Sequence, residues 1–416
     1  MRNLKSQLQE MIERDRNHPS IIIWGLADDL SRYQYAEDFT ELSDAAHAFD
    51  PTRWTAGRAP HVTDIVDATV YDDLVGIHKE HPEGMYIWNE WGSFHSERGR
   101  EGPALIRAHH PPIFPDREPA IFCEGFMMQW NAMPWLGTLR WCFCDCSEPS
   151  ASPTLSLWEP DVGDAIKPRW PVNDYYGCMD MWRLPKTSFY LMQSQWTEKP
   201  MIYITGHWTW PDETGKPRQV RIYSNCDQVE LFLNGRSLGS SKPAAQQRVW
   251  DDFRKLAERY KGIEDMIVQL SSARLPGSFL RHPPFIWDDI AYQPGTLLAI
   301  GTKDGVTVRD ERSTAGDPAR ILLISDKPTL LADAQDVAFL QAHVVDTKGT
   351  VVPTADPWIS FSVQGPGRLL GGTTEIDAIS GIVAINLQST GEKGRITVRA
   401  DAKGLQSDSI DLATTS

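Results

Sequence analysis

Residues 1–198 hold several very short, largely apolar runs, each followed within a few positions by polar side chains, and this pattern limits the fold more than any other feature of the chain. Ile21–Trp24 is four apolar residues with no alternation, as expected of a strand buried on both faces. Asp67–Tyr71, Met85–Trp88 and Leu139–Phe143 are further strand candidates. Between them the spacing turns helical. Leu4, Leu8, Met11 and Ile12 share a stripe that Pro19 ends, and Ala36, Phe39, Leu42, Ala46 and Phe49 form a second. Strands alternating with helices predict an α/β layout with parallel strands. The polar residues at the run ends include Asp28, Asp29, Tyr71, Glu90, Asp145 and Glu148. In a β/α barrel the chemistry sits at the C-terminal ends of the strands.

The remainder reads differently. Residues 199–326 carry short strands at Val220–Tyr223, Val229–Leu233, Leu297–Gly301 and Ile321–Ile324, and Asn234-Gly235 is a strong hairpin signal. A helix over Ala244–Met266, with Val249, Phe253, Leu256 and Tyr260 on one face, interrupts them as an insertion near 244–283. Residues 327–416 are again all-β, with Val337–Val345, Ile359–Val363, Ile382–Leu387 and Ile396–Ala400 at sandwich spacing. The predicted domains are therefore 1–198, 199–326 and 327–416.

A formal net charge of −15 argues against phosphate-backbone binding, so no nucleic-acid partner is expected. No apolar run approaches the ~18 residues a membrane helix needs, and no membrane association is expected. Six Cys are too few for a disulfide scaffold. Cys142, Cys144 and Cys146 alternate as if on one face of a strand, ~7 Å apart, and are expected to be buried structural thiols with no metal site.

Two carboxylates flanking a sugar bond are the minimal equipment of most glycosidases: one protonates the leaving oxygen, and the other attacks the anomeric carbon or activates water. Asp28, Asp29, Glu90, Asp145 and Glu148 can supply such pairs, although helix caps and salt bridges use carboxylates in the same places.

Longer motifs narrow the choice. Arg14-Asp15-Arg16-Asn17-His18-Pro19-Ser20-Ile21-Ile22-Ile23-Trp24 resembles a signature of glycoside hydrolase family 2 that leads into its fourth barrel strand. Asp50-Pro51-Thr52-Arg53, Val70-Tyr71, and Gly137 through Asp145 with Glu148-Pro149 resemble later motifs of that barrel, and Arg183-Leu184-Pro185-Lys186 resembles the start of its closing helix. Glu90, Ser93, Ser96 and Arg98-Gly99 match the nucleophile segment of a β-galactosidase subgroup. His207-Trp208-Thr209-Trp210 with Val229–Gly235, and residues 331–371, resemble the β-sandwich and bacterial Ig-like domains that follow.

The resemblance implies a partial (β/α)8 TIM-type barrel, strands four to eight, followed by two all-β immunoglobulin-like sandwich domains. It implies a retaining exo-glycosidase, most similar to β-galactosidases, with Glu90 as nucleophile and Asp29 as general acid/base. Asp28, Tyr71, Trp91, Trp141 and Asp145 would contact a carbohydrate substrate. Glu124, in Phe122-Cys123-Glu124-Gly125, is a rival nucleophile. No cofactor is implied. The chain departs from the family at Asp29, where Glu is usual, and at Asp28, where Asn is usual. A half-barrel also exposes sheet edges, so the chain is expected to be a piece of a longer protein, a homodimer, or one completed by a partner. The alternative reading is a carbohydrate-binding remnant or an inactive fragment. Location stays open, with a periplasmic or extracellular bacterial setting favoured over the cytoplasm.

Overall fold

Helix α1 (Arg2–Asp15) buries Leu8 and Ile12 but leaves Leu4 exposed, so only the second half of the expected stripe faces the core. The core it joins contains Trp24 from β1 (Ile23–Gly25) and Phe39, Leu42 and Ala46 from α2 (Ala36–Phe49). Strands β2 (Trp54–Gly57), β3 (Ile65–Thr69) and β4 (Met85–Trp91) follow, then α3 (Arg117–Trp130) and β5 (Trp135–Arg140). The five strands form one sheet in the order β1-β2-β3-β4-β5, and every pairing is parallel. This is the strand arrangement of a β/α barrel wall. The computed structural model describes residues 2–26, 36–57, 62–69, 76, 79, 82–91, 98–99, 116–132, 135–140, 142–148, 172–174, 177–259, 274–371 and 374–416.

Two of the motifs join in one polar lock. Arg53 donates from Nε to the Ile21 carbonyl (2.7 Å) and from Nη2 to the carbonyls of Arg16 (2.6 Å) and His18 (3.3 Å). Its Nη1 pairs with Asp50, which also accepts from the Trp24 indole at 3.1 Å. The Thr52 hydroxyl and the Arg53 guanidinium hold the Asp50 carboxyl well below the usual carboxylate range. The resembling residues here are therefore structural: they bring the chain entering β1 against the chain entering β2.

Several strand boundaries differ from expectation; the run Ile21–Trp24 enters β1 only at Ile23, and Ile22 ahead of it is exposed rather than buried on both faces. The strand expected at Asp67–Tyr71 begins earlier, because Ile65 and Val66 pair with Met85 and Tyr86. The one expected at Leu139–Phe143 ends at Arg140, where its register with β4 closes opposite Trp91. The three cysteines consequently do not share a strand. Cys142 and Cys144 are only partly buried, Cys144 bridges Met179, and Cys146 opens β6 (Cys146–Glu148), which pairs with β7 (Val172–Asp174).

The chain divides into two units. The first comprises Met1–Ser93, Phe122–Phe143 and Asp252–Leu280, and the second comprises Phe94–Ile121, Cys144–Asp251 and Arg281–Ser416. The second unit contains α4 (Thr187–Trp196) and a sandwich. That sandwich is built from β8 (Ile202–Ile204), β9 (Pro217–Ser224), β10 (Gln228–Leu233) and β11 (Arg236–Ser241), with β12 (Phe285–Ala291), β13 (Thr296–Lys303) and β14 (Val306–Ser313). Sheets β11-β10-β13-β14 and β12-β9-β8 enclose Ile222, Val229, Leu231, Phe285 and Leu297. Asn234 and Gly235 both adopt positive φ in the tight β10–β11 turn. A Cβ at position 235 would meet nothing, so the requirement there is conformational.

The inserted helix runs over Gln246–Arg259, and Val249, Phe253 and Leu256 are buried as expected; Tyr260 lies outside the described residues. Within the first unit Phe253 meets Phe122 and Phe126 of α3 edge-on, at ring distances of 6.4 and 6.1 Å. Asn131 Nδ2 donates to the Phe279 carbonyl at 2.8 Å. The insertion thus completes the packing of α3.

The terminal sandwich pairs sheet β15-β17-β21-β19 with sheet β16-β23-β22-β18-β20. Its strands are β15 (Arg320–Ser325), β16 (Thr329–Leu331), β17 (Val337–Val345), β18 (Trp358–Gln364), β19 (Gly367–Leu370), β20 (Glu375–Asp377), β21 (Ile382–Ser389), β22 (Gly394–Asp401) and β23 (Asp408–Thr415). Leu340, Ile359, Ile385, Val398 and Leu412 meet between the two sheets.

Burial pushes His207 down to about 4, helped by Arg218 and Arg117, and pushes His343 down to about 4, helped by Arg98. In the unfolded chain these rings protonate near 6.5. Between those values the unfolded state binds more protons, so stability falls as the pH drops. From pH 7 to pH 5 the expected loss is roughly 2 kcal/mol per ring. Urea midpoints across that range should fall less steeply for His343→Gln than for the parent chain, and the difference between the slopes isolates the ring.

Candidate active site

Glu90 lies at the C-terminal end of β4, a position set by two register irregularities. Trp88 pairs with Ala68 and Glu90 with Thr69, so Asn89 has no partner on β3. On the other side Trp88 pairs with Thr138 and Trp91 with Arg140. Bulges of this kind re-aim side chains and recur beside active sites. The backbones of Glu90 and Trp91 are part of β4, and their side chains lie outside the described residues.

Asp28, Asp29, Tyr71 and Trp141 also lie outside the described residues. Along the chain they follow the C-terminal ends of β1, β3 and β5 by one to four residues. These strands and β4 are parallel members of one sheet, so the C-terminal ends of the strands themselves lie at the same sheet end. Glu124 differs. It is fully buried inside α3 rather than at a strand end.

Asp145 is described, and its Oδ1 is occupied. Lys186 Nζ donates to it at 2.6 Å and the Gly177 N–H at 2.8 Å, with both charged side chains buried. Burial pushes the Asp145 carboxyl up to about 7, against the downward pull of the Lys186 ammonium and the Gly177 N–H. Gly177 is required here, because a Cβ would come within 2.2 Å of the Asp145 backbone nitrogen.

Two neighbouring carboxylates are committed in the same way. Asp116, just ahead of α3, accepts from Gly99 N (3.0 Å) and from the Thr187 hydroxyl (2.9 Å), and burial raises its pKa. Asp180 accepts from the backbone of Trp182 and Leu184, each at 2.9 Å, and from Arg98 Nε at 2.7 Å. Sequence reasoning assigned no role to Asp116 or Asp180. Asp116-Arg117-Glu118 before an apolar helical run is a helix-start signal that would have flagged the first. Nothing local flags the second.

A small, partly open pocket in the second unit is lined by Arg117, Thr205, His207, Trp210 and Arg218 among others, and by none of the predicted site residues. Arg218 lies 3.8 Å over the Trp210 ring and His207 lies 4.5 Å from it, so this indole is already covered. Among the described residues no group of three His, Cys, Asp or Glu could hold a metal ion, and no helix is long and apolar enough to cross a membrane.

The chain thus combines a parallel five-stranded sheet with two β-sandwiches. Residues 2–110 match the family 2 glycosyl hydrolase TIM barrel domain, and residues 321–411 match the glycoside hydrolase family 2 C-terminal domain 5. Residues 215–261 match a domain of unknown function. The chain belongs to glycoside hydrolase family 2. A β-galactosidase of Bacteroides ovatus is 28% identical over 96% of this chain and 50% of its own length. A β-glucuronidase of Formosa agariphila is 25% identical over 97% of this chain and 38% of its own. The crystal structure of a β-glycosidase from Bacteroides vulgatus superposes with a TM-score of 0.74 at 25% identity, covering 99% of this chain and 53% of that one. The chain thus spans half or less of the length of these curated relatives.

Removing one partner of a buried ion pair strands the other charge. Lys186→Met is therefore expected to lower unfolding stability by about 3–5 kcal/mol. Adding Asp145→Leu should restore much of the loss, as read from urea or thermal unfolding.

Proposed function

We propose that this chain carries the catalytic rim of a retaining exo-glycosidase acting on β-galactoside-like substrates. Glu90 attacks the anomeric carbon, and Asp29 protonates the leaving oxygen and later activates water. Asp28, Tyr71, Trp91 and Trp141 line the sugar subsite. Asp145 is engaged by Lys186 and the Gly177 N–H and is left out of the proposed subsite. The observation that carries this reading is the parallel register. It ends β4 at Glu90–Trp91, and Asp29, Tyr71 and Trp141 follow the C-terminal residues of β1, β3 and β5 in sequence by one to four positions. The β-galactosidase named among the relatives supports the sugar class.

In this reading the domains are 1–198, 199–326 and 327–416. Further barrel strands, from a second copy or a partner chain, cover the outer strands β1 and β5. Ile22, Leu136 and Leu139, each about half exposed or more, support such a cover.

The nucleophile is tested on a panel of nitrophenyl glycosides. Glu90→Gln should abolish turnover, and turnover that survives it removes Glu90 from the mechanism. Sugar binding without turnover in the parent chain would favour a binding remnant.

Asp29 is one methylene shorter than the usual Glu, and a misplacement of about 1 Å can cost ~100-fold. Asp29→Glu is accordingly expected to raise kcat by up to ~100-fold; an unchanged or lower kcat counts against Asp29 as the acid/base.

A further inference from the structure

The stretch His207-Trp208-Thr209-Trp210 takes no part in the proposed chemistry, and the second unit pins it from several sides. Arg312 donates to the carbonyls of Ile204 (2.6 Å) and Gly206 (3.0 Å) just ahead of it. The Trp208 indole donates to the Gln293 carbonyl at 3.0 Å. The Thr209 hydroxyl accepts from Ala315 N at 3.0 Å, and Trp210 N donates to the Tyr292 hydroxyl at 3.2 Å. His207 Nδ1 accepts from Thr209 N at 3.2 Å, so the neutral ring carries its proton on Nε2.

This stretch walls the small, partly open pocket of the second unit. Buried Trp208 and Leu297, from the sandwich core, give the pocket an apolar side. Arg117, Arg218, His207 and Thr205 give it hydrogen-bond donors, and no carboxylate lines it. In a chain with a formal net charge of −15, two guanidiniums gathered without an acid are a local reversal of sign. Arg218 lies 3.8 Å over the Trp210 ring and pairs with Glu213, a carboxylate that Lys216 also reaches at 3.8 Å. One acid thus serves two cations there. Burial pushes the His207 ring down to about 4, and Arg218 and Arg117 add to the push, so both guanidiniums act on the ring from within Coulombic reach.

These donors decide what the pocket suits. A guanidinium fork matches two oxygens of a carboxylate, sulfate or phosphate. The apolar side lowers the local dielectric and strengthens that pairing. A cation is repelled, and a neutral ligand gains little from the charges. We propose that Arg117, Arg218 and His207 form a binding site for one small oxyanion group, a carboxylate, sulfate or phosphate. The two guanidiniums take the charge, and the His207 Nε2–H and the Thr205 hydroxyl add neutral donors. Glu213 is the anion's internal competitor for Arg218. The inference does not rest on Glu90, on Asp29 or on any glycosidase activity.

The test titrates the full chain with sodium sulfate, phosphate, acetate and glucuronate, each against sodium chloride at equal ionic strength. Thermal unfolding midpoints and calorimetric heats are the readouts. At least one of the four anions should raise the midpoint above the chloride baseline in a saturable way. Sulfate or phosphate acting alone identifies a free inorganic anion as the occupant. Glucuronate acting where acetate does not identifies a sugar acid. Arg117→Gln and Arg218→Gln should each raise the dissociation constant about tenfold or more. Glu213→Gln removes the competitor and should lower it about twofold to fivefold. If Arg218→Gln does not fold, Arg218→Lys replaces it, because it keeps a charge beside the indole while losing the fork, and it too should weaken binding. An affinity in Glu213→Gln no better than the parent's counts against Arg218 as a ligand. No response above chloride from any of the four anions, or a response that both arginine variants keep in full, overturns the proposal.

Discussion

Buried carboxylates set the terms for the second unit of this protein. A carboxylate removed from water needs a donor for nearly every lone pair, or its ionisation becomes too costly to keep. Asp116, Asp145 and Asp180 are all buried, and each recruits donors from another part of the chain. Lys186 and Gly177 serve Asp145; Gly99 and Thr187 serve Asp116; Arg98, Trp182 and Leu184 serve Asp180. Residues 98–99, 116, 145 and 177–187 are thereby held in one polar cluster, from which the start of α4 emerges. A second cluster, Asp50 with Arg53 and Trp24, does similar work in the first unit.

These clusters alter how the family motifs are to be understood. Motif residues are easily read as substrate-facing, yet Arg53 serves three carbonyls, Asp145 faces a lysine and Arg98 faces a turn of the terminal domain. The proposed chemistry rests on a smaller set at the strand ends. Around that set the protein invests arginines, glycines and aspartates in fixing where the backbone runs. Glycosidic attack demands this, because the transition state tolerates little error in the placement of either carboxylate.

Much of the architecture was legible from local pattern. The helical stripe around Phe39 and Leu42, the Asn234-Gly235 turn and the period-2 strand Val337–Val345 each occupy the predicted element. The strand around Cys142 was misplaced because alternation alone cannot say where pairing stops; the register with β4 ends it at Arg140. The packing of the inserted helix could not be read either. Its amphipathic face was evident, but the face it meets, Phe122 and Phe126, lies more than a hundred residues away.

By itself the sequence determined the order of elements, the family, and the placement of Glu90 at the end of a strand, because each depends on periodicity or contiguous motifs that short-range sterics and burial enforce. Tertiary structure alone decided that Asp145 would be buried against Lys186, that Glu124 would sit inside a helix, and that Arg98 would be anchored by carbonyls 281 and 284 residues further on. The physical reason is that a buried charge takes its partner from whatever donor the packed chain brings within hydrogen-bond reach. That meeting is fixed by the packing of distant segments, and no local pattern around an aspartate or an arginine records it.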